Sequence, residues 1–419
     1  MNFPILCCRI FSKKRIQDPD IPFNIWMIAA LIAAVVKFMI GKYNNYKIFK
    51  GVFWHAIAEQ PLYGEAAGYY DSNHYGIIFS YIIAPFAVLP DWFGIILWVV
   101  ANTALLYYAL NTLPLNRAQK TFVYWFVLCE LFTAQTVQQF NISVAAFIIL
   151  AWSLIARRKE FWAAFVIVLG AFIKIYPIVG LAFFFFSKNK PRFIFSGLFW
   201  IAIMFSLPLL MVSPQYMISQ YEAWFHQLQL KNALNQFAVS QNISLLGLVR
   251  KVTGSTSYSD MMLILPALAL FFAPYFRIGQ FKNLCFRLML LANVLIFSVL
   301  FSTGSEAASY VTAMIGVAIW YLATPSENQQ RNKRLMIATL VVVGLCTTEL
   351  MPKWIRVNLI VPYVIKSWLV IAVWFRIVYD MIFLDFKKSL LVPDHDIITE
   401  LSETSGYGCI PDDLESVMK

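Results

Sequence analysis

The chain has 419 residues, of which 60% are hydrophobic and 13% charged, and its formal net charge is +11. Soluble chains carry about 25% charged residues, and none of this length could hide so much apolar surface. The composition predicts an integral membrane protein with room for on the order of ten to twelve spans, and it excludes a water-soluble catalytic domain. Lys and Arg stand in short clusters between apolar runs, so the charge reads as topology and not as nucleic-acid binding.

In chain order, Cys7 and Cys8 read as unmodified thiols, and Lys13-Lys14-Arg15 precede a first apolar run at 23–40 with no cleavage site after it, a retained signal anchor. Further runs lie at 92–113, 121–137, 142–156, 161–186, 193–212, 261–276, 284–301, 307–323, 335–350 and 357–384, with a short one at 75–89 broken by Pro85. The basic clusters all face the cytoplasm only if two local choices are made. Residues 75–90 must dip into the outer leaflet without crossing, and 161–186 must form two short helices meeting near Lys174 and Pro177.

The predicted fold is therefore an all-α polytopic bundle of about twelve membrane helices over residues 1–386, with both termini cytoplasmic. Two large extracytoplasmic loops, about 41–91 and 213–260, contain interfacial helices. In the first, Phe49, Val52, Phe53, Ala56 and Ile57 fall at helical spacing and predict an amphipathic helix on the membrane surface. The tail 387–419 holds seven acidic residues against three Lys and no apolar periodicity, and it reads as a disordered cytoplasmic segment. The six cysteines show neither metal-ligand spacing nor a disulfide framework.

Ionisable groups inside spans are expensive, so each needs a reason. Lys37 can snorkel, while Glu130 and Arg287 are harder to excuse. Lys174, at the junction of two half helices, points into a cavity open to the outer face. It needs an anion there, either a phosphate or a structural carboxylate such as Glu306 or Asp71. Gln138-Gln139-Phe140-Asn141 offers amides for sugar hydroxyls, although Asn141 also suits a helix N-cap. In the second loop, a helix over 244–250 sets Arg250 beside Leu246, facing either a phosphate at the membrane surface or solvent. The first loop supplies Glu59, Glu65, Asp71, His55 and His74 for acid and base work, densest in Tyr69-Tyr70-Asp71-Ser72-Asn73-His74-Tyr75, where Asp71 can also cap a turn. Glu306, between Ser302 and Tyr310, brings a lone acid to the outer end of a late span.

Taken in order, five segments resemble glycosyltransferase family 87, the C-type group that includes polyprenyl-phosphate-mannose-dependent mannosyltransferases. They are 46–63 ending in Gln60-Pro61-Leu62-Tyr63, the run from His74 through Ala84-Pro85-Phe86-Ala87-Val88-Leu89-Pro90, Gln139-Phe140-Asn141 followed by Arg157-Arg158, Lys174 with Pro177, and 241–250. The resemblance implies a hexosyltransferase in a bacterial cell membrane. Such an enzyme takes a sugar from a polyprenyl-phosphate donor on the extracytoplasmic face and hands it, with inversion, to a lipid, glycolipid or cell-envelope acceptor. Family members commonly carry a catalytic aspartate soon after the first span, whereas this chain reads Lys42-Tyr43-Asn44-Asn45-Tyr46-Lys47 there. An amide cannot act as that base. Either Asp71 takes the role, with Glu65 and Glu306 as alternatives, or the chain binds donor lipid without transfer. The expected site then has Lys174 and Arg250 on the phosphate, and Asn45, His74, Tyr75, Gln139, Asn141, Asn242, Glu306 and Tyr310 around the sugar and acceptor, with neither metal nor cofactor. A transporter or lipid flippase would use the same polar residues as a path.

Overall fold

A chain of apolar runs can satisfy its backbone in hydrocarbon only by forming helices or a closed barrel. The computed structural model describes residues 18–64, 68–236, 238, 241–255, 257–346 and 352–386, and among them every regular element is a helix. Glu65, the thiols Cys7 and Cys8, and the acidic tail lie outside the described residues.

The first half runs through α1 (Asp20–Met39), α2 (Asn44–Ile57), α3 (Phe79–Ala87), α4 (Asp91–Asn111), α5 (Arg117–Val137), α6 (Asn141–Ala156) and α7 (Glu160–Ile173). A 3-10 segment, Tyr176–Phe186, follows. The second half holds α8 (Lys190–Ser206), α9 (Pro214–Asn235), α10 (Leu245–Thr253), α11 (Met261–Phe272), α12 (Leu284–Leu300), α13 (Tyr310–Ala323), α14 (Ser326–Cys346) and α15 (Ile365–Phe383). Capping follows local chemistry. Asn116 and Gln119 form a reciprocal capping box at the start of α5, and Ser213 caps α9 ahead of Pro214.

α6, α12 and α13 are apolar nearly all round and buried along their length, so they form the centre. α8 is the opposite case. It is as apolar, yet Ile194, Phe195, Leu198 and Phe199 are exposed on its surface, which suits a lipid environment and not water. Among the described residues, Asp20–Met39, Asp91–Asn111 and Lys190–Leu210 are long and apolar enough to cross a membrane by length and composition, three against the twelve or so crossings expected. Interruption accounts for part of the difference. The run 161–186 is cut at Lys174, and α11 passes into a 3-10 turn at Ala273–Phe276. With nine residues, α3 extends roughly 13 Å at 1.5 Å per residue, too short to span hydrocarbon.

Candidate functional site

Seven parts of the chain converge on one cavity of about 120 Å³. α2 contributes Asn45, Ile48 and Phe49, the following loop contributes Asp71 to Tyr75, and the helix break contributes Lys174, Ile175 and Tyr176. The loop after α12 brings Gly304 and Glu306, while α9 lies across with Leu228, Lys231 and Asn235. Gln139 and Gln241 complete the lining.

The break is where the cation enters. Pro177 cannot continue an α-helix, and Lys174 leaves helical geometry at φ −147°, ψ 104°. Its Nζ donates to Asn141 Oδ1 at 2.6 Å and lies 5.4 Å from each of the Tyr75 and Tyr176 ring centroids. Asn141 in turn donates to Gln139 Oε1 at 2.9 Å and to Glu306 Oε1 at 3.3 Å. Its side chain caps nothing, because Phe140 holds the N-cap position of α6, and the amide instead bridges ammonium to carboxylate. Two close approaches fix the walls. A Cβ on Gly76 would collide with the Phe172 carbonyl oxygen, and one on Gly304 with the Tyr176 hydroxyl.

Asp71 takes a left-handed backbone, φ 74°, and its carboxylate accepts from the Ser72 amide at 2.8 Å. His74 Nε2 is 3.7 Å away and Lys231 Nζ 4.0 Å, so both act on it across a gap. The His74 imidazole, the Ser72 amide and the Lys231 ammonium together hold its carboxyl down to about 2, against a partial burial that pushes it up. Gln227 Nε2 sits 3.2 Å from His74 Nδ1, and Trp224 Nε1 donates to the His74 carbonyl, so α9 clamps the loop from above. Asn44, in the neighbourhood where the resemblance implies an aspartate, pairs both amide atoms with the Tyr70 backbone, one residue before Asp71. A carboxylate there could not donate to that carbonyl.

Of the residues expected from sequence, Asn45, Asp71, His74, Tyr75, Gln139, Lys174 and Glu306 line the cavity, with Asn141 directly behind Lys174. Arg250, Asn242 and Tyr310 do not line it. Arg250 shares a helix face with Leu246, as its spacing implied, but its Nη2 pairs with Asp260 at 2.8 Å under the Tyr258 ring. A buried guanidinium needs such a partner, and that pairing turns it away from the site. Asn242 accepts from Ser244 Oγ at 2.6 Å inside a buried turn. Tyr310 donates to the Ile243 carbonyl at 3.0 Å, and the second loop is further tied to the Glu306 segment by a backbone bridge at Gln241.

Lys231 and Asn235 were missed in the sequence. Their signal was the face Trp224, Gln227, Leu228, Lys231 and Asn235, spaced three and four apart along one helix. Among the described residues, no group of three or more His, Cys, Asp or Glu gathers to hold a metal.

The model of glycosyltransferase family 87 matches residues 73–303, more than half the chain, and so covers His74, Gln139, Lys174 and α9. Asp71 and Glu306 stand just outside its two ends. No curated protein and no solved structure matches the chain.

Proposed function

The chain belongs to glycosyltransferase family 87, a membrane glycosyltransferase family, and from this we propose that it moves a mannose-like hexose from a polyprenyl-phosphate carrier to a lipid-linked or cell-envelope acceptor. The reaction runs with inversion on the extracytoplasmic face of a bacterial cell membrane, in a bundle of about twelve spans whose loops 41–91 and 213–260 face outward. One observation carries the reading: an acid, Asp71, and an ammonium, Lys174, open onto the same cavity from distant parts of the chain.

In this reaction Asp71 takes the proton of the acceptor hydroxyl, whose oxygen attacks the anomeric carbon. The electron pair of the broken carbon–oxygen bond leaves on the carrier phosphate. Base assistance of this kind contributes about 10² to 10⁴ in rate. Lys174 offsets charge growing on the departing phosphate. Glu306, Gln139, Asn45 and His74 hold hydroxyls, and Tyr75 presents a ring to the sugar. Asn242 and Tyr310 serve by holding the turn after Gln241, which lines the cavity.

A second reading, donor-lipid binding without transfer, draws on Asn44 standing where the resemblance implies an aspartate. One experiment separates them. Full-length protein in lipid nanodiscs is incubated with radiolabelled polyprenyl-phosphate sugars and membrane lipid extract, and label moves to a new lipid if the enzyme reading holds. Asp71→Asn then lowers turnover at least about a hundredfold with donor binding nearly intact. Donor bound by the unmodified protein without transfer supports the second reading instead, and label carried across sealed vesicles with no new lipid supports a flippase.

A further inference from the structure

Two ammonium groups face the cavity, and only one has a role so far. Lys231, a fifth exposed on α9, stands 4.0 Å from its nearest carboxylate oxygen on Asp71, too far for a hydrogen bond. Lys174 rests on the neutral amide of Asn141. Both line the cavity, Lys174 from the helix break and Lys231 from α9. Beside Lys231, one turn along α9, Asn235 also lines the cavity and is 2% exposed, and among the described residues its buried Oδ1 has no hydrogen-bond partner. An unsatisfied buried acceptor of this kind is destabilising, and a ligand hydroxyl removes that cost.

We infer that Lys231 and Lys174 form a two-ammonium seat for the phosphate of the lipid carrier, and that Asn235 Oδ1 accepts a hydroxyl of the sugar attached to it. The inference rests on the sugar-transfer reading above and names the groups that hold its donor. Charge bookkeeping favours a pair over a single cation. A polyprenyl-phosphate sugar is a phosphodiester with one negative charge, whereas the carrier phosphate left after transfer is a monoester with close to two. The second charge appears as the anomeric carbon–oxygen bond breaks, and a second cation already in place stabilises the transition state more than the bound donor. The cavity, about 120 Å³, is small beside the roughly 300–1,000 Å³ of pockets that enclose whole drug-sized ligands, so the polyprenyl chain stays outside it.

The test uses the full chain in nanodiscs and two readouts, sugar transfer and direct binding of farnesyl phosphate as a lipid monophosphate, with farnesol as the uncharged control. Lys231→Gln lowers kcat by on the order of a hundredfold with a smaller change in donor KM, and weakens farnesyl phosphate binding at least about tenfold. Farnesol binding is unchanged, and Lys231→Arg restores the phosphate. Asn235→Ala raises donor KM but leaves farnesyl phosphate affinity alone. Binding of farnesyl phosphate that needs Lys231, in a protein that transfers no sugar, keeps the phosphate seat and sinks the transferase reading. Transfer and farnesyl phosphate affinity both unchanged in Lys231→Gln sink the seat and keep the transferase. Inorganic phosphate bound as tightly as the lipid monophosphate also overturns the inference, because the anion site would then have no connection to the carrier.

Discussion

Two lysines inside this helical bundle have opposite surroundings. Lys366, on α15, is 4% exposed and donates to Glu130 Oε2 at 2.6 Å, with the carboxylate 1% exposed and the Tyr310 ring 4.7 Å from the ammonium. Lys174 borders an open cavity, rests on an amide and two aromatic rings, and reaches Glu306 only through that amide. A charge sealed with its counter-charge is a fastener, since nothing outside can compete for it. A charge given neutral partners and an opening is left with an electrostatic demand that a ligand can meet. Arg250 belongs with Lys366 in this respect, closed by Asp260. Position in a span says that an ionisable residue needs a reason, and only the partner says which reason it has.

The sharpest way to break the comparison is to unpair the fastener. Lys366→Met or Glu130→Gln removes one charge of the buried pair, and each costs about 3–5 kcal/mol of stability. The double change Lys366→Met with Glu130→Leu recovers most of it, read from thermal unfolding of detergent-solubilised protein. Single variants that unfold like the parent would make the pair dispensable and erase the distinction.

Lys174→Met probes the other side of the contrast. Loss of a cation aimed at developing charge lowers sugar transfer by about 10²–10³, equivalent to about 2.7–4 kcal/mol of barrier. Because no carboxylate pairs directly with it among the described residues, the unfolding temperature holds or rises. A large loss of stability in this variant would move Lys174 into the same class as Lys366.

What could be read in advance follows the same divide between local and distant causes. The break at Lys174 was legible because Pro177 and a costly charge coincide within four residues. The apolar face of α2 was legible at Phe49, Val52, Phe53 and Ala56, but it packs inside the bundle, Phe49 against Tyr75, Phe79 and Trp98, where a membrane surface was expected, and Ile57, expected with them, ends the helix and is exposed. The face shared by Leu246 and Arg250 was a matter of spacing. Arg250's attachment to Asp260 was not, since a partner ten residues on across a turn leaves no period to read. Lys231 was hidden for a different reason. α9 has amides, tyrosines and charges around its whole circumference, so its inward face has no apolar contrast. Asn44's grip on Tyr70 joins segments 26 residues apart. The cavity as a whole depends on segments far apart in the chain coming together, none of it encoded within a single helix.

The smallest effect concerns how adjustable the cavity charges are compared with the sealed pair. Asp71 lies in the loop after α2, with its carboxyl lowered from 3.8 to about 2 by the His74 imidazole first, then the Ser72 amide and Lys231. A carboxylate depressed in the folded state contributes stability that is complete above its unfolded value and is lost as pH falls through the folded one. Asp71 therefore stays ionised through the weakly acidic range, and kcat/KM for transfer has no Asp71-controlled acidic limb above about pH 4. His74→Ala removes the largest lowering influence, so the limb climbs toward 3.8. The check is a kcat/KM profile of both proteins in nanodiscs, taken down to the lowest pH at which each remains folded. Lys366 and Glu130 shield each other from solvent, so the same substitution leaves their contribution to unfolding unchanged. An acidic limb near neutrality that does not move in His74→Ala assigns the proton acceptor to another group, and Glu306, which lines the same cavity, is then the carboxylate to replace.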